Sequence, residues 1–206
     1  MFIKENREYE AYKNENLFVY KTLEKHHFKL FLTIKSKKDR SQYPKFPKAS
    51  NYDFREQVLR KATNILRAYL KLRDRECWYL GIHEAGLSKK GVCGSNSAHN
   101  HIAFTYNKDI PYDDLVTALE RWQKYLSKEF GLDACFRLNG KKDGDIYIQS
   151  QQKMIDYMSK LEKGFEVDGV QYELFFKAPF MSQNSWKNAP PAKEELNTVC
   201  LSEIPF

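Results

Sequence analysis

Two histidines separated by a single residue, His99 and His101, carry the clearest signal for chemistry in this sequence. Successive strand side chains point to opposite faces, so in an extended AHNHIAFTY segment both imidazoles project from one face while Asn100, Ile102 and Phe104 take the other. Neutral imidazole is a common ligand of divalent transition metals, and two on one face can meet one cation. A harder ion such as Mg²⁺ wants an oxygen ligand as well. Glu84, at the end of the preceding apolar segment, offers a carboxylate and His83 a further imidazole. These two neighbours point to opposite faces, and the sequence leaves open which one meets the histidines. The bland alternative is a pair of histidines on a polar strand face with no ion at all.

The second element is Tyr157, followed three residues later by Lys160 in QQKMIDYMSKLEK, a spacing that puts phenol and ammonium on the same side of a helix. A lysine there can bind a phosphate or favour the phenolate. A phenol has a pKa of about 10, so only about one part in a thousand is ionised near neutrality without help. A metal polarising a phosphodiester lowers the demand on such a nucleophile. With 13 tyrosines in the chain, a helical tyrosine is by itself more often a packing residue.

The elements that must position these groups are legible as periodicities. In FKLFLTIK, Phe28, Leu30, Leu32 and Ile34 share one face and Lys29, Phe31 and Thr33 the other, which predicts a largely buried strand. Phe54, Val58, Ala62, Ile65, Tyr69 and Leu72 recur at helical spacing. CWYLGIHE and AHNHIAFTY read as two strands joined by a glycine-rich stretch. A second helix is announced by Pro111 in its first turn and by Asp113 and Asp114, carries the stripe Leu115, Leu119, Trp122 and Leu126, and stops at Gly131. ACFRL and DIYIQ follow as short strands, then a helix from Gln151 to Lys163 ending at Gly164, and VQYELFFK as a further strand. The order strand, helix, strand, strand, helix, strand is that of the ferredoxin-like split βαβ unit. This is an α+β fold with a central, mostly antiparallel sheet and helices on one face, leaving the other face free for a site. The reading divides the chain into an N-terminal arm over 1–27, a domain over 28–177 and a C-terminal tail over 178–206.

Composition sets the bounds. A chain of 206 residues, 42% hydrophobic and 30% charged, fits one globular domain. Its net charge of +7 and pI near 9.1 suggest an anionic partner, nucleic acid first, or serve solubility alone. The four cysteines form no CxxC pair, so neither a disulfide framework nor a thiolate zinc site is indicated. The opening MFIKENREYEAYKNEN has no apolar core of signal-peptide length, and no run approaches the roughly 18 apolar residues that span a bilayer. A soluble, cytoplasmic protein without membrane contact is expected.

In this order FLTI (Phe31 to Ile34), HNH (His99 to His101) with Glu84 upstream, and YMSK (Tyr157 to Lys160) resemble the three motifs of HUH rolling-circle replication initiators of plasmid or phage type. The likeness spans about residues 28 to 163. The residue between the histidines, usually hydrophobic in that family, is Asn100. The resemblance implies an HUH endonuclease domain in which His99, His101 and Glu84 bind Mg²⁺ or Mn²⁺. Tyr157 would attack single-stranded DNA at a replication origin to leave a covalent 5′-phosphotyrosine, and Lys160 would steady the phosphate. Lys35, Lys37, Lys38 and Arg40 are candidates to follow the DNA backbone, and Tyr43 and Tyr106 to stack on bases. No GxxxxGK[ST] motif occurs, so duplex opening would fall to supercoiling or a host helicase. Rival expectations are a single-tyrosine transposase or mobilisation relaxase, and a non-catalytic nucleic-acid-binding module on the same sheet.

Overall fold

A computed structural model describes residues 17–26, 28–36, 52–84, 99–139, 147–148, 150–159, 165–167, 170–172 and 179–191, and the remainder lies outside the description. The chain runs through α1 (17–25), β1 (Leu30–Ser36), α2 (Tyr52–Tyr69), β2 (Cys77–Glu84), β3 (His99–Tyr106) and α3 (Tyr112–Phe130). It continues with β4 (Leu132–Asn139), β5 (Tyr147–Ile148), α4 (Gln151–Ser159), β6 (Phe165–Val167), β7 (Val170–Tyr172) and β8 (Phe180–Met181). β1 lies between β3 and β4, and β2 lies outside β3, with every one of these pairings antiparallel. The order β4-β1-β3-β2, with α2 and α3 as the two crossovers, is the ferredoxin-like arrangement expected from the sequence. β5 extends the sheet in parallel beyond β4 and β8 in antiparallel beyond β2, making six strands, while β6 and β7 form a separate ladder.

Alternation along β1 decides which side faces the long helices. Leu30, Leu32 and Ile34 join Ile102 and Phe104 beneath α2 and α3. α3 buries all four residues of its predicted stripe, together with Ala118 and Phe130, and Gly131 ends it in the left-handed conformation at φ 61°. Pro111 stands one position earlier than predicted, at the N-cap, where its fixed φ still suits helix entry. Trp122 is fully buried, and its indole N–H donates to the Ala62 carbonyl at 2.9 Å, tying α3 to α2. Of the stripe expected for α2, Ala62 and, past the helix end, Leu72 are buried and Ile65 and Tyr69 sit at the rim, with Leu59, Thr63, Leu66 and the following Leu70 also buried, while the side chains of Phe54 and Val58 lie outside the described residues. The helix is wedged between sheet and α3, so the face carrying most leucines turns inward.

The opposite face is more covered than the sequence suggested. CWYLGIHE is apolar on both faces, as expected of a strand buried on two sides, and Trp78, Leu80 and Ile82 need a second layer. Val19 and Leu23 of α1, Ile155 and Met158 of α4, and Trp186 and Ala189 supply it, with the Trp78 indole donating to the Ser185 carbonyl at 3.0 Å. Residues 17–25 and 180–191, set aside above as arm and tail, are therefore part of the folded unit. Phe28 also sits in this layer instead of with Leu30, because it precedes the strand and escapes its alternation. Among the described residues, an open cleft on this face lies beside His101 and β4.

Two tests follow. A Cβ added at Gly81 would run into the Phe180 ring. Gly81→Ala should destabilise the protein by about 1–3 kcal/mol in denaturant, and less in a Phe180→Ala background, where the ring that clashes is gone. Burial, with Glu76 adding to it and Arg67 opposing, raises the Cys77 thiol to about 11, and burial with Asp109 raises the Tyr106 phenol to about 12. The folded chain holds these protons where the unfolded chain, titrating near 9.0 and 10.0, releases them. Stability should be intact below pH 9 and fall as pH rises from about 9 towards 12, with a shallower fall in Tyr106→Phe.

Candidate active site

Register places the histidines. In the β1–β3 ladder Thr33 stands opposite His101 and Lys35 opposite His99; in the β2–β3 ladder Ile82 faces His101 and Glu84 faces His99. Residues directly opposite in an antiparallel pair share a face. Position 84 thus stands opposite His99 in the ladder and position 83 opposite Asn100. Asn100 turns away from the imidazoles, its amide donating to the Ile34 carbonyl at 3.3 Å.

His101 is 4% exposed and held on several sides. Thr33 Oγ1 lies 3.0 Å from its Nδ1, and the Tyr157 hydroxyl lies 3.1 Å from its Nε2. The Phe31 ring stacks on the imidazole at 5.1 Å and 21°, and His99 meets it edge-on at 4.8 Å and 84°. Tyr157 reaches this point because Ile155 and Met158 anchor α4 to the sheet. Its ring also meets Phe31 edge-on at 6.4 Å. The tautomer of His101 sets the direction of the Thr33–His101–Tyr157 chain. If Nδ1–H donates to Thr33, then Nε2 presents its lone pair and the phenol donates to it.

The structure thus brings together His99, His101 and Tyr157 and puts position 84 beside them in register. Lys160, Lys37, Lys38, Arg40 and Tyr43, together with the Glu84 side chain, lie outside the described residues. Lys35 is exposed opposite His99. Tyr106 is a correction: it is 4% exposed in the core beneath the helices, on the face away from the histidines, and cannot stack on a base there. Sequence reasoning missed four neighbours. Thr33 and Phe31 were visible only as the minority face of a buried strand, and Cys135 and Arg137 are the β4 residues opposite them in the ladder. Phe31, Thr33, Cys135, Arg137, Met154 and Tyr157 line, with His101, an open cleft of about 560 Å³.

Among the described residues no three His, Cys, Asp or Glu side chains form a metal-binding group. The donor chemistry nevertheless suits a divalent ion. Two imidazoles stand at contact distance on one face, with a carboxylate-bearing position opposite His99 in the ladder. Among the described residues, no helix is long and apolar enough to cross a membrane. No protein-family model, curated protein or solved structure matches this chain.

Thr33→Val removes the hydroxyl that pairs with His101 Nδ1 while keeping the shape of the side chain. It should destabilise the fold by about 1–3 kcal/mol, the cost of a buried polar atom left unpaired. It should also shift the ¹⁵N resonances of the His101 ring towards a tautomer mixture, and Thr33→Ser should restore both.

Proposed function

We propose that the chain is a metal-dependent, single-tyrosine endonuclease that nicks and rejoins single-stranded DNA at a specific site, initiating rolling-circle replication. The observation that carries the reading is the 3.1 Å contact between His101 Nε2 and the Tyr157 hydroxyl, residues 56 apart in the chain and on different elements. The ordered likeness of FLTI, HNH and YMSK to the HUH motifs supports it.

His99 and His101, with Glu84 as oxygen ligand, would hold Mg²⁺ or Mn²⁺, which when bound polarises the scissile phosphate. With Nδ1–H donating to Thr33, the Nε2 lone pair of His101 would serve one partner at a time, the phenol or the ion. Tyr157 gives up its phenolic proton and attacks phosphorus, the bond from phosphorus to the 3′ oxygen breaks, and that oxygen takes up one proton to leave as a hydroxyl, so the step is proton-neutral. One phosphodiester replaces another, so attack by the 3′-hydroxyl reseals the strand without ATP. Lys35, exposed opposite His99, is a cation placed to meet the DNA backbone, and Lys160 would steady the phosphate. Single-stranded DNA at an origin is the partner, opened by supercoiling or by a host helicase.

Incubation with pooled single-stranded oligonucleotides and Mn²⁺ should give a covalent protein–DNA adduct on a denaturing gel. Tyr157→Phe should give none. His99→Ala and His101→Ala should each slow its formation by about a hundredfold or more, the scale of losing one charge-stabilising group. An adduct that persists in Tyr157→Phe would sink the assignment.

A further inference from the structure

We infer that the cleft between α4 and β4 seats one unpaired nucleotide of single-stranded DNA, its base against Met154 and the edge of Phe31 and its phosphate on Arg137. That this nucleotide flanks the scissile phosphate rests on the nicking reading; its seat in the cleft does not. The volume of about 560 Å³ falls within the roughly 300–1,000 Å³ typical of small-ligand sites. A cleft of this size takes an unstacked nucleotide, whereas a base pair within a duplex cannot enter it. Met154 and Phe31 supply apolar surface, which takes the face of any base without reading its sequence.

Arg137 supplies the charge complementarity. It stands opposite Phe31 in the β1–β4 ladder, is exposed, and is engaged by no hydrogen bond or ion pair among the described residues. Its planar fork matches a phosphate in two-point contact, and the chain's +7 net charge favours a polyanion over an uncharged occupant. Tyr157 and His101 line the same cleft, so a nucleotide bound there lies beside the phenol.

Cys135, exposed on the cleft wall opposite Thr33, reports occupancy directly. The full-length chain, in EDTA so that no cleavage intervenes, is alkylated with N-ethylmaleimide and Cys135 modification is followed by peptide mass spectrometry. A single-stranded oligothymidylate should slow Cys135 modification, and a duplex of equal length should not. Buried Cys77 should be modified slowly throughout, confirming an intact fold. Arg137→Gln should raise the oligonucleotide concentration needed for protection roughly tenfold, as expected for one charge-assisted contact. The inference is overturned if the single strand fails to bind by fluorescence anisotropy, or binds while Cys135 reacts at its free rate. Protection without any Mn²⁺-dependent adduct would keep the subsite and reject the nicking reading. An adduct without protection would reject the subsite alone.

Discussion

The register of β3 against β1 is the constraint on which the rest depends. Because side chains alternate along a strand, a slip of one residue would turn His99 and His101 into the helical core and bring Ile102 out onto the other face. What forbids the slip lies on the far side of the sheet. Ile102 and Phe104 are fully buried with Leu30, Leu32 and Ile34 beneath α2 and α3, and exposing them would cost far more than the histidines could return. The core thus fixes the chemistry without touching it. The Trp122 hydrogen bond that joins the two helices serves the imidazoles on the other face at one remove.

Tyr157 is held differently. The described turns of α4, Gln151–Ser159, take their place from Ile155 and Met158 settling into the second layer. That layer also needs α1 and the segment after β8, so residues distant in sequence share in placing one phenol. The histidines belong to a central strand and the tyrosine to a helix seated on the sheet through Ile155 and Met158. In the proposed reaction this division is useful, since the attacking group must leave its contact with His101 to reach phosphorus while the imidazoles stay still.

Much of this was legible in the sequence, for reasons that differ by element. β1 and α3 could be read because each has one dominant buried face, so periodicity and burial say the same thing. α1 could not: Val19 and Leu23 stand beside Leu17 and Phe18, which are exposed, so no single apolar stripe marks the inward face until β2 supplies its partner. The segment around Trp186 was hidden behind its prolines and polar residues. The α2 stripe was legible only in part because Ile65 and Tyr69 compete with Leu66 and Leu70 for the inward face, and the position of α3 decides between them. At the site, residue types pointed to His99, His101 and Tyr157, but their convergence depends on where α4 returns across the sheet. Which of positions 83 and 84 stands opposite His99 is a matter of register, and register cannot be counted through a loop of unknown geometry. Arg137 and Cys135 gave no signal at all, since nothing in ACFRL says which of its faces borders a cleft.

Between an enzyme and a passive binding surface, the burial of His101 is the more telling feature. A sheet face that merely gathers nucleic acid gains from exposed cations and rings, as Lys35 and Arg137 would provide. It gains nothing from hiding an imidazole at 4% exposure with Thr33 on one nitrogen and Tyr157 on the other. Fixing a ring from both nitrogens costs conformational freedom and polar desolvation, and the return on that cost is a nitrogen and a phenol oxygen held within hydrogen-bond reach. Pre-set geometry of this kind speeds a reaction and does little for affinity. In the proposed reaction this packing would hold the attacking phenol beside the imidazole, with the open side towards β4 left for the strand to enter.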